Sequence, residues 1–125
     1  EKKVISWECV YCRESGLNTF KPVKFLYGSY DAQAYIGYDD SLKEIIVAFQ
    51  GSASVENWIA NLKFFKLDYD YPGVSGARVH YGFYQGSSSL FEGYRNILKD
   101  LINTKPGYKV IVTGHSQGGA NGILN

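Results

Sequence analysis

Apolar and polar positions change period several times along the chain, and each change marks a new element. Tyr30, Ala32, Ala34, Ile36 and Tyr38 alternate with Asp31, Gln33, Tyr35 and Gly37, the two-residue period of a half-buried strand. Asp39-Asp40-Ser41 then signals a tight turn. Glu44 leads into Ile45-Ile46-Val47-Ala48-Phe49, an uninterrupted apolar run expected to be a strand buried on both faces. It ends at Gln50-Gly51-Ser52, a natural loop mouth. Val55, Trp58, Ile59 and Leu62 follow at i, i+3, i+4 and i+7, which predicts a short helix with one apolar stripe and Ser54 as its N-cap. Leu62 to Tyr69 reads as a partly exposed strand, and Tyr71 to Gly76 as a loop. The longest helix carries Leu90, Tyr94, Ile97, Leu98 and Leu101 on its buried stripe and Arg95, Asn96, Lys99 and Asp100 on its wet side, and Lys105-Pro106-Gly107 stops it. Tyr108 to Thr113 reads as a short buried strand. The helix before it is then the crossover of an open, mostly parallel α/β sheet. Residues 13–24, with Gly16, Asn18, Pro22 and several charges, read as a connecting loop.

Composition narrows the picture without changing it. At 125 residues the chain is long enough for one small domain with a real core, and eleven Tyr and seven Phe make it rich in aromatics. A formal charge of +1, with both signs interspersed, offers no basic stripe, so nucleic acid is not an expected partner. No apolar stretch reaches membrane-spanning length, and the N-terminus carries no signal-peptide pattern, as expected of an already processed chain.

The candidate chemistry sits at the end of the last strand. Gly114-His115-Ser116-Gln117-Gly118-Gly119 follows Thr113 directly, and G-x-S-x-G between a strand and a helix-permissive run is the pattern of a nucleophile elbow. Glycines flank the serine where a Cβ would crowd neighbouring backbone. The Gln117 N–H would lie at a helix N-terminus, suited to stabilise an oxyanion. A Gly-rich turn with no chemistry is the plain alternative. Serine also needs a base and a third group to orient that base. Of the two histidines, His115 is expected to face the interior because neighbouring side chains point apart, and His80 reads as a structural residue at a helix start. In hydrolases with this elbow the acid and the histidine follow the serine; Gln117 to Asn125 contain neither.

Cys9 and Cys12 form a C-x-x-C pair with several readings. A thioredoxin-type redox motif and a zinc half-site are two, although no second pair is present to complete a metal site, and none is expected. A local disulfide or two free thiols are the others, and a disulfide would imply an oxidising compartment. The apolar stripe over 55–62 is likewise core in its plain reading and a lid in its functional one.

Six separate stretches stand out: Tyr30-Asp31, Phe49-Gln50-Gly51-Ser52, Asn57-Trp58-Ile59, Tyr71-Pro72-Gly73-Val74-Ser75-Gly76, Val79-His80-Tyr81-Gly82-Phe83 and Val112 to Gly119. Matching in order and spacing, they resemble the class 3 lipase family of secreted fungal triacylglycerol lipases. Trp7 to Cys12 also resembles a cysteine pair that forms a local disulfide in some of these lipases. The resemblance implies an α/β-hydrolase fold, with residues 1–125 as the N-terminal part of one such domain. It implies Ser116 as the nucleophile, Ser52 and the Gln117 amide as the oxyanion hole, and residues 54–62 as the lid, with Ser54, Val55, Trp58, Ile59 and Leu62 as its candidate residues. Expected substrates are acyl esters at a lipid–water interface, with no cofactor or metal, and the expected location is extracellular. Phospholipase or feruloyl esterase activity on the same fold, a lipase-like interaction module without catalysis, and a thiol–disulfide protein are the competing readings. Gln50 stands where the family usually has Arg, and Gln117 where it usually has Leu. With the Asp and His expected downstream, the chain expressed alone is expected to aggregate or to be inactive, its last strand leaving an apolar edge uncovered.

Overall fold

The apolar run at 45–49, with Glu44 before it, becomes the central strand of the molecule. The computed structural model describes residues 2–51 and 66–125. Its elements are α1 (Lys2–Ile5), α2 (Val10–Glu14), β1 (Phe20–Tyr27), β2 (Gln33–Asp39), β3 (Glu44–Phe49), β4 (Lys66–Asp68), β5 (Arg78–His80), α3 (Tyr81–Thr104), β6 (Lys109–Gly114) and α4 (Gln117–Leu124). Four strands form one sheet in the order β1-β2-β3-β6, and β4 and β5 form a separate two-stranded ribbon.

Burial on both faces explains why β3 has no alternation. Ile45, Val47 and Phe49 pack with Leu90, Tyr94 and Leu101 of α3, while Ile46 and Ala48 face Phe20, Trp7, Leu17 and Tyr35 on the other side. Each fully buried aliphatic contributes about 1.5–3 kcal/mol of transfer free energy. The stripe predicted for α3 is the one observed: Leu90, Tyr94 and Leu101 are buried, and Arg95, Asn96, Lys99 and Asp100 are exposed.

β3 and β6 are parallel, with Glu44 opposite Lys109 and Phe49 opposite Gly114. The other two pairs, β1·β2 and β2·β3, are antiparallel. Parallel pairing, expected through most of the sheet, is therefore confined to one pair among the described strands. The meander precedes the crossover helix and needs only short turns.

Three expectations change. Residues 13–24 are not all loop, because β1 begins at Phe20. Its Lys21, Val23 and Lys24 are exposed on an edge strand, and the register shifts between Pro22 and Lys24, where proline interrupts the ladder. The second strand starts at Gln33 and not at Tyr30, because Tyr30 and Asp31 both adopt positive φ, 56° and 54°. The last strand is not buried: Val110 and Val112 are 42% and 48% exposed, since among the described strands β6 has a partner on one side only. Lys2–Ile5 and Val10–Glu14, too short to show a period, form helical turns, and Cys9 and Cys12 are joined in a disulfide beside the second of them.

A polar network ties the end of the sheet where β3 and β6 begin. Asp40 accepts hydrogen bonds from Lys21 Nζ at 2.7 Å, Lys105 Nζ at 2.7 Å and Tyr108 Oη at 2.6 Å. The Lys105 ammonium also lies 3.9 Å from the Tyr38 ring centroid. Fully covered Asp39 accepts from Thr19 Oγ1, Ser41 N, Ser41 Oγ and Leu42 N, which closes the β2–β3 turn.

Candidate active site

β6 delivers the chain to a sharp turn. Ser116 has φ 57° and ψ −121°, a backbone setting unfavourable for a residue with a Cβ, typically by about 1–3 kcal/mol. Two bonds lock the turn: Gly118 N–H donates to His115 O at 2.9 Å, and Ala120 N–H to Ser116 O at 3.2 Å. Steric room does the rest. A Cβ on Gly118 would collide with the backbone of Phe49 and Gln50 at the end of β3, so the start of α4 can lie directly on that strand. From the other side Gly51 comes so close that its own Cβ would sit 2.7 Å from His115 O. The loop mouth after β3 is thus brought against the serine turn. Ser116 is exposed, and among the described residues no side chain hydrogen-bonds its hydroxyl.

Gln117 opens α4, where the first N–H groups have no intrahelical acceptor. Its side chain matters more than its place beside the serine suggested. It is 5% exposed, and its Nε2 donates to Tyr30 O at 3.4 Å, holding the left-handed Tyr30-Asp31 turn against the elbow. Tyr30 in turn meets Tyr81 edge-to-face at 5.7 Å, and its hydroxyl pKa is pushed up, first by a hydrogen bond with Tyr81 and then by burial. Positive φ at two non-glycine residues in succession leaves no compositional trace, so this turn was not legible from residue types.

The two histidines part company. His115 is exposed, not interior; on the face of the sheet opposite α3 it lines a cavity of about 390 Å³ with Val4, Phe25, Tyr35, Ala48 and Thr113. The expectation failed because facing away from the serine does not require cover from anything else. His80 caps the start of α3 half-buried, its ring 5.0 Å from that of Phe83. Ser52 and the lid candidates Ser54, Val55, Trp58, Ile59 and Leu62 lie outside the described residues. Among the described residues, no helix is long and apolar enough to cross a membrane, and no three His, Cys, Asp or Glu side chains gather as a metal site.

The pattern of the family described as Lipase (class 3) matches residues 46–125, from the central strand through the serine turn to the last residue. The chain belongs to the class 3 lipase family. A lipase of Rhizomucor miehei is 38% identical over 120 residues, which cover 95% of this chain and 32% of that protein. A secreted mono- and diacylglycerol lipase of Fusarium solani is 37% identical over 87 residues, covering 70% of this chain and 26% of the relative. A solved triacylglycerol lipase, described as having a serine protease triad at its catalytic centre, superposes with a TM-score of 0.82 at 37% identity, covering 99% of this chain and 47% of that one. The fold is that of an α/β-hydrolase. This class 3 lipase chain spans about a third of the length of the first relative and just under half of the solved one.

Proposed function

We propose that the chain carries the nucleophile part of a serine ester hydrolase acting on acylglycerols at a lipid–water interface. One observation supports this above the rest: an exposed serine held at positive φ between a parallel strand and a helix, with glycine required where β3 touches the turn. Strain of that kind persists only where the surroundings over-determine it, and here it aims the hydroxyl outward.

In this reading Ser116 Oγ attacks the ester carbonyl while its proton passes to a histidine. The carbonyl oxygen becomes an oxyanion facing the Gln117 N–H and Ser52. The C–O bond to the glycerol oxygen then breaks, the histidine returns the proton to the departing alcohol, and water cleaves the acyl-enzyme by the same steps. The histidine and its orienting acid belong, in this reading, to a further part of the domain, since in hydrolases with this elbow both follow the serine. In this reading residues 54–62 serve as the lid. An extracellular location agrees with the disulfide and with the secreted relative.

Sequencing the transcript beyond Asn125 and expressing the product tests it. The expected frame supplies an Asp and then a His. The product reacts with a fluorophosphonate at Ser116, and Ser116→Ala lowers ester turnover by roughly 10⁴-fold or more. Turnover that survives Ser116→Ala refutes the assignment.

A further inference from the structure

The Cys9–Cys12 bridge has no part in the proposed hydrolysis and little to hold together. It spans three positions of a single segment, and closing so short a loop constrains few conformations of the unfolded chain. Other contacts fix that segment to the sheet. Trp7 Nε1–H donates to Leu17 O at 2.8 Å, its ring lies 4.4 Å from that of Phe20 and 6.0 Å from that of Tyr35, and Ser15 Oγ–H donates to Cys12 O at 2.7 Å. None of these needs the sulfurs joined, so the bridge can open while the segment stays in place.

The two sulfurs are unequal. Cys12 is 4% exposed, whereas Cys9 is only half-buried. Exchange proceeds by attack of a thiolate on an accessible sulfur, which here is that of Cys9. The Cys12 N–H points at Cys9 Sγ from 3.0 Å, a donor that favours negative charge on Cys9 once the bridge is open. Beside both sulfurs lies a cavity of about 280 Å³ walled by Val4, Trp7, Tyr11, Leu17 and Tyr35. That is just under the roughly 300–1,000 Å³ of a site for a drug-sized molecule. No charged side chain lines it among the described residues, so it suits an apolar group.

We propose that Cys9 and Cys12 form a thiol–disulfide exchange site for a thiol borne on an apolar group. The incoming thiolate bonds to Cys9 Sγ while its apolar group occupies the cavity; the S–S bond breaks, and Cys12 leaves as a thiolate that takes up the proton the thiol gave up. A second thiolate then attacks the incoming sulfur of the mixed disulfide, which frees Cys9 facing the Cys12 N–H and releases the small disulfide. Two thiols are oxidised and one disulfide is reduced, so the bridge itself is the oxidant.

Thiol titration of the soluble protein expressed from the complete transcript tests the assignment, with alkylation and peptide mass reading the state of each cysteine. Reduction by benzyl mercaptan is expected with unchanged far-ultraviolet circular dichroism, about tenfold faster than by glutathione at equal thiolate concentration. In guanidinium, where the cavity is gone, the two rates should differ by no more than about two- to threefold, the effect of thiol basicity alone. Tyr11→Ser, at a side chain 81% exposed, should reduce the native preference by about half or more. Iodoacetamide should alkylate Cys9 in Cys12→Ser about tenfold faster than Cys12 in Cys9→Ser. A bridge that stays oxidised until the dichroism is lost would overturn the proposal, as would a native rate ratio equal to that in guanidinium. No step of the readout involves Ser116, so its failure is distinct from failure of the hydrolase reading.

Discussion

Where β3 and β6 begin, side chains hold the sheet together by attraction; where the same strands finish, the chain closes because side chains are missing. At the first end Lys21, Lys105 and Tyr108 converge on Asp40, tying β1, the β2–β3 turn and the α3–β6 link to one carboxylate. At the second end Gly118 and Gly51 let two backbone segments touch around Ser116. Attraction degrades gradually when one partner is lost, because water can take its place at a partly exposed site. Close packing of backbone on backbone does not. Stability and reactive geometry are thus served by different ends of one strand pair.

Adding a methyl group at the serine end gives the largest expected effect. Gly118→Ala places a Cβ against Phe49 and Gln50 backbone, with no flexible side chain able to yield. The expected loss is about 3 kcal/mol or more, the upper end of overpacking costs, read as a lower urea midpoint. An unchanged midpoint would mean that the two ends do not differ as described.

The opposite end should respond to pH. Hydrogen bonds from Lys105, then Lys21 and Tyr108, hold the Asp40 carboxyl well below the usual carboxylate range. A folded-state value below the unfolded one means stability that is present above about pH 4 and lost as pH falls further. Tyr108 shows the reverse: the Asp40 hydrogen bond, followed by burial, pushes its phenol up to about 12. Its contribution is fully present below about pH 10 and lost as pH rises from there through about 12. Urea midpoints measured against pH should therefore fall on both flanks, and Asp40→Asn should flatten both. A profile unaltered by Asp40→Asn would remove this network from the account of stability.

Smallest is the effect of Gln117→Leu, which installs the residue usual in the family. It removes one hydrogen bond, long at 3.4 Å, and leaves an apolar side chain in a covered position. Stability should change by no more than about 1 kcal/mol. A larger loss in denaturant titration would show that the Tyr30 carbonyl depends on this bond.

The legible parts of the chain are those whose signals are local and repeated. The β3 run, the α3 stripe and the Gly-x-Ser-x-Gly turn each announce themselves within a few residues, and the structure has all three. β1 was hidden because an edge strand can carry Lys21, Pro22 and Lys24 on its open side, a composition that also fits a loop. β6 looked buried because Val110, Ile111 and Val112 are all apolar, although burial depends on what lies beside the strand. At the candidate site the serine was readable. The cover on Gln117 and the exposure of His115 were not, since both follow from where the Tyr30-Asp31 turn and the rest of the sheet fall in space. The disulfide was one of several readings open to a C-x-x-C pair until the two sulfurs were seen joined.

The only parallel pair in the described sheet also joins the most distant segments. Glu44 and Lys109 are neighbours in space, as are Asp40 and Lys105, which stand 65 positions apart in the chain. The β2–β3 hairpin closes across a handful of residues. By the logarithmic law for loop closure, the parallel pair costs about 2 kcal/mol more conformational entropy to bring together than the hairpin does. Ser116 therefore sits on the strand whose attachment is entropically the dearest in the sheet, and the Asp40 network, fastened at the near end of that same strand, is the attachment that offsets it.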